Sequence, residues 1–161
     1  MSSKYTNSQE KPLRQSKISL TPKTTNSNRH HHAITEEIKN AIQQLNNFAT
    51  YPIRDLVKHA EQFGPYLKNQ RLETNQVRKF LDAINRIKAD LANKNNFAQI
   101  EAEVVLLKPK LAYAAARQKA AKPLSEVMST AIDKVKSLED FNRLVQFIES
   151  IIAYHKAAGG R

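Results

Sequence analysis

Between Lys108 and Lys122 the chain carries five cations, Lys108, Lys110, Arg117, Lys119 and Lys122, and no carboxylate. Ammonium and guanidinium groups in such a run do one kind of chemistry well: they neutralise phosphate oxygens, and arginine can hold an oxyanion with two parallel N–H bonds. Tyr113 stands four residues before Arg117. On a helix that is one turn, where a ring can lie beside the cation and offer a stacking face to a base. Among so many alanines the same tyrosine serves equally well as a core filler. A second concentration, Lys68, Arg71, Arg78, Lys79, Arg86 and Lys88, is diluted by Glu73 and Asp82. Arg78 and Arg86 fall roughly on one helix face, away from the Val77, Leu81 and Ile84 stripe. Every amphipathic helix has a solvated charged face, and that is the competing account of both runs.

Other chemistry has little to work with. His30, His31 and His32 are adjacent imidazoles, but they sit in a polar stretch with nothing to preorganise them as metal ligands, so they read as a solvated run. His59 and His155 stand alone, outside any His-Glu-x-x-His pattern, and read as surface or boundary residues. Glu101 and Glu103 lie two apart and diverge on a helix. Gly64 has no glycine near it and precedes a proline, so no phosphate-cradling loop forms there. Cysteine is absent, which removes thiolate metal sites, disulfides and cysteine nucleophiles. The expectation is a protein without catalytic residues, metal or cofactor.

The wider charge balance agrees with the basic runs. The 161 residues hold 26 Lys and Arg against 15 Asp and Glu, a net +11. A field of that sign draws polyanions, nucleic acid first and an anionic membrane surface second. Residues 1–33 contribute Lys4, Lys11, Arg14, Lys17, Lys23 and Arg29 against Glu10, a net +5, and leave +6 to the remainder. No apolar stretch reaches the roughly 18 residues of a membrane-spanning helix, and no secretory signal is visible, so the protein is expected to be soluble and cytoplasmic.

The elements that must position these cations are helices. Only 3 glycines occur in the whole chain, too few for a fold rich in tight turns. Residues 1–33 are too polar to bury a core and read as a disordered basic tail; residues 34–158 read as one all-α domain, a bundle of five to six helices. Thr35 is the expected N-cap of the first helix, with Ile34, Ile38, Ile42, Leu45 and Phe48 on its apolar stripe. Pro52 suits the first turn of the second helix, whose Leu56, Val57, Ala60 and Phe63 point inward and which Gly64-Pro65 ends or kinks. Thr74 caps a third helix with Val77, Phe80, Ile84, Ile87 and Leu91 buried. A fourth starts near Phe97 and breaks at Lys108, before Pro109, into an alanine-rich segment. Pro123 opens the next, and Ser137 with Asp140 forms a near capping box for the last, which Gly159-Gly160 ends.

Two stretches carry more than composition. Thr74-Asn-Gln-Val-Arg-Lys-Phe80 and Leu107-Lys-Pro-Lys-Leu-Ala-Tyr-Ala-Ala-Ala-Arg117 resemble, in order, the two signature segments of the small helical subunit of Csm-type (type III-A) CRISPR effector complexes. The region from Leu56 to Leu67 and the helix around Phe147-Ile148-Glu149 agree with the same family, so the resemblance spans about residues 50–155. It departs from the pattern at Ala115-Ala116, where a glycine is common, a change a helix tolerates. The resemblance implies a non-catalytic subunit of an antiviral defence complex. Several copies would line the groove that holds guide RNA and target RNA and would contact the backbone and large subunits. Base pairing would supply specificity there, and the protein only backbone contacts. It further implies that Arg78, Lys79, Lys110 and Arg117 are the cations nearest RNA, with Lys58, Lys68, Arg86, Lys119 and Lys122 outside them, and it puts Leu81, Ile84, Leu107, Leu111 and Tyr113 in the core. The competing function is a protein–protein adaptor bundle whose basic face binds an acidic partner.

Overall fold

Apolar residues at three- and four-residue spacing put most of the described chain into helices, and helix packed on helix forms the whole architecture. The computed structural model describes residues 25–94 and 96–160, with side chains from His32 onward. The elements are α1 (Thr25–Gln43), α2 (Ile53–Asn69), α3 (Thr74–Lys94), α4 (Glu101–Val105), α5 (Leu107–Arg117), α6 (Lys122–Ile132) and α7 (Leu138–Ala157), with 3-10 turns at Phe48–Thr50, Phe97–Gln99 and Lys119–Ala121. Because α4 is a single turn of 5 residues, the rest make a six-helix bundle among the described residues, in agreement with composition and periodicity. No strand occurs among the described residues.

The central pair is α2 against α7. Leu56, Ala60, Phe63 and Leu67 of α2 are buried, as are Phe141, Leu144, Phe147, Ile148 and Ile151 of α7. The remaining helices dress this pair: α3 packs on α7, α1 on α6 and α2, and α5 on α6. Gly64 lets the two central helices touch. A Cβ built there would lie 2.6 Å from the His155 amide nitrogen and 2.8 Å from the Tyr154 carbonyl carbon. Gly64-Pro65, expected to end or kink the helix, does not end it: α2 runs through Pro65 to Asn69. A proline inside a helix forfeits one hydrogen bond and crowds the preceding turn; burial of Phe63, Gly64 and Leu67, on either side of Pro65, offsets that.

Several helix ends differ from the sequence expectation. α1 starts at Thr25 and takes in residues 25–33, which composition alone assigns to the tail; residues 1–24 of that tail lie outside the described residues. Thr35 is then mid-helix, 4% exposed, and its hydroxyl has no hydrogen-bond partner. The α4–α5 break falls at Leu106, ahead of Lys108, so that Pro109 sits in the first turn of α5, where the missing amide donor has no helical acceptor to lose. Val57 is 37% exposed, since α2 turns that flank outward. At the end of α2, Arg71 takes a left-handed φ of 64° while the Leu72 amide reaches back to the Leu67 carbonyl. This is a glycine-type helix stop made with an arginine.

Asp140 does more than the near capping box asks. The Ser137 hydroxyl accepts the Asp140 amide at 3.1 Å, as that motif predicts. The Asp140 carboxylate, 1% exposed, accepts instead from the amides of Ala49 at 2.7 Å and Lys136 at 3.0 Å. One side chain thereby pins the Phe48 turn to the start of α7.

His59 and His155, expected at the surface or its boundary, are both interior. His155 is fully buried: Nε2–H donates to the Leu72 carbonyl at 2.7 Å, and the Thr74 hydroxyl stands 3.4 Å from Nδ1. The last turns of α7 thus hold the α2–α3 connection in place. His59 shares a hydrogen bond with the buried Tyr51 phenol and faces Glu37 at 3.8 Å. Burial pushes the His59 pKa below its ordinary 6.5, against the pull of Glu37 and Asp55, and pushes the Tyr51 phenol up. The sign follows from the lowered value: neutral His59 contributes fully above its unfolded pKa, and that contribution is lost as pH falls through the folded one. Thermal midpoints should hold level from pH 8 to 7 and drop below about 6.5; His59→Gln should flatten the acid side of that profile.

Candidate nucleic-acid interface

α5 packs on α6, and α3 packs on α7. Between α3 and α5 this leaves a cavity of about 560 Å³. Its floor is apolar, made by Phe80 and Ala83 of α3, Leu107, Leu111 and Ala114 of α5, and Leu72, Ala121 and Leu124. Its rim carries Lys79 from α3 and Lys110 and Arg117 from α5, together with Gln76, Gln118 and Tyr113.

Helical geometry explains which cations meet. On α3, Gln76, Lys79 and Ala83 recur at three and four, so they share one flank beside the buried Val77–Phe80–Ile84 face. On α5, Lys110, Ala114 and Arg117 do the same beside Leu107 and Leu111. Three of the four cations named from the motifs, Lys79, Lys110 and Arg117, therefore line one groove. Arg78, a single residue on from Val77, is turned out of it and exposed. Arg86 is also exposed and does not line the cavity, although seven residues place it on the Lys79 stripe two turns further along α3.

The outer cations are scattered. Lys119 and Lys122 are exposed beyond the end of α5, and Lys122 stands 3.9 Å from Glu126. Lys58 and Lys68 are exposed on α2, with Lys68 beside Gly159 at the end of α7. Lys108, part of the acid-free run, is tied to Asp133 across the α5–α6 contact. Lys79, Lys110 and Arg117 have no carboxylate within ion-pair distance among the described residues. Their charge is uncompensated at short range, which is what a phosphate needs.

Tyr113 corrects the expectation of a core tyrosine: it is 65% exposed. It is two residues from buried Leu111, and on a helix that carries it off the buried face to the groove rim. The Arg117 guanidinium carbon lies 5.7 Å from the ring centroid, and Nη1 reaches the phenol oxygen at 3.4 Å. Gln76 and Gln118 on the rim are residues the sequence offered no charge signal to find; Leu81 is half-buried, while Ile84, Leu107 and Leu111 are in the core as expected.

Among the described residues no group of three or more His, Cys, Asp or Glu stands together to hold a metal. The side chains of His30 and His31 lie outside the described residues, and His32 is exposed. No helix among the described residues is long and apolar enough to cross a membrane.

Fold and groove together define a class: a small basic helical bundle that presents uncompensated cations from two helices around an apolar cleft. The particular family follows from comparison. Residues 50–161 match the family model Csm2 Type III-A, and the chain belongs to that family. A Streptococcus thermophilus protein described as "CRISPR system Cms protein Csm2" is 30% identical over 95 residues, covering 58% of this chain and 78% of the relative. No solved structure gives a significant match. Both signature segments and the other residues that line the groove lie within the matched residues, whereas α1 precedes them.

Proposed function

We propose that this small subunit of a type III-A CRISPR complex is a non-catalytic support for guide and target RNA, acting in the cytoplasm beside the backbone and large subunits and further copies of itself. It holds RNA through phosphates and does not read sequence. The observation that carries this is the convergence on one groove of Lys79, Lys110 and Arg117, without carboxylate partners among the described residues. Cations on helical flanks meet phosphates whatever bases lie above them, so their contribution is common to all sequences. Arg78, Arg86, Lys119, Lys122, Lys58 and Lys68 act as outer contacts that broaden the positive field.

The test is uniformity. In the assembled complex, Lys110→Ala with Arg117→Ala should weaken binding about ten-fold, by the same factor for guide–target pairs of unrelated sequence. A loss confined to some sequences would mean base reading, and no loss for any would remove the groove from RNA binding altogether.

A further inference from the structure

We infer that the α3–α5 groove receives one unpaired nucleobase of the bound RNA, its face laid on the apolar floor beside Tyr113 and its flanking phosphates on the rim cations. This deepens the backbone-contact reading above and rests on it. The groove has more than a phosphate cradle requires. A paired duplex turns ribose, phosphate and the polar edges of its bases outward, and for that surface a row of cations suffices; an apolar floor that includes the half-buried Ala83 and Ala114 would stay wet beneath it. An extruded base fits what is there. It brings a flat apolar face that covers the floor, together with two phosphates that need neutralising.

Three further features agree. The cavity, about 560 Å³, lies within the range of pockets that enclose small organic ligands. Tyr113 is 65% exposed yet held by Arg117, with the guanidinium 5.7 Å from the ring, so a stacking surface is preset next to a cation. Gln76 and Gln118 border the cleft, and an amide both donates and accepts, so it can meet the edge of any base. The site therefore favours an unpaired base over a paired one without favouring a particular base.

The experiment compares three RNA hairpins of equal length, fully paired, with a one-nucleotide bulge, and with an abasic bulge, binding the full-length chain by fluorescence anisotropy at low salt. The bulged hairpin should bind about ten-fold more tightly than either of the others, the equivalent of one base stack. Tyr113→Ala should abolish that preference and retain binding to the paired hairpin, and Tyr113→Phe should keep it. Equal affinity for the bulged and abasic hairpins, or a preference that survives Tyr113→Ala, overturns the inference while the backbone contact stands. Failure to bind any of the three hairpins, or binding of an acidic peptide alone, overturns the backbone reading as well.

Discussion

Gly64→Ala should lower the thermal unfolding midpoint by about 6 °C, the equivalent of about 2 kcal/mol. In an ordinary helix the same change raises stability by about 1 kcal/mol, because alanine is the better helix former. Here the added methyl meets the backbone of the neighbouring helix, with the His155 nitrogen at 2.6 Å and the Tyr154 carbonyl carbon at 2.8 Å. Neither is the free end of a flexible side chain, so α2 and α7 must move apart. The two helices bury Phe63, Leu67, Phe147 and Ile151 between them and their neighbours, and separation loosens that packing. The effect reaches the groove, because His155 anchors the Leu72 carbonyl and the Thr74 hydroxyl at the entry to α3. Thermal melts followed by circular dichroism decide the sign, and a higher midpoint would show that the helices do not touch there.

That contact was hidden in the sequence, and the reason is general. Gly64-Pro65 reads as a helix stop because both residues disfavour helical geometry locally, and only the presence of α7 makes the glycine necessary and the proline tolerable. His155 and His59 read as boundary residues since nothing in the chain shows that the Leu72 carbonyl and Tyr51 phenol wait for them. Periodicity was more informative. Val77, Phe80, Ile84, Ile87 and Leu91 repeat at helical spacing and are all buried, and Ser137 caps α7 as its type suggests. The groove was legible in part. Motif and charge mark Lys79, Lys110 and Arg117, but a sequence cannot show that α3 and α5 stand apart and face each other across Leu124. The exposure of Tyr113 is legible from spacing: two residues from Leu111, it leaves the core face.

The second large effect concerns the groove itself. Replacing Lys79, Lys110 and Arg117 together by alanine should weaken target RNA binding by the assembled complex about fifty-fold at physiological salt. Three lost phosphate contacts, at about 0.7 counterions released for each, carry that factor at about 0.15 M ionic strength. Stability should change little, since all three side chains are exposed and none forms an ion pair among the described residues. A circular dichroism melt of the variant separates the two effects. An equal loss on replacing Lys58 and Lys68, exposed on α2 outside the cavity lining, would mean that the positive field of the whole bundle acts and the groove has no special place.

The most direct test of the phosphate contacts is the salt dependence of that binding. Plotted as the logarithm of affinity against the logarithm of salt concentration, the wild-type complex should give the steeper line, and the variant with alanine at positions 79, 110 and 117 a slope shallower by about 2. Parallel lines would contradict the account, because three cations that released no counterions never touched the RNA backbone.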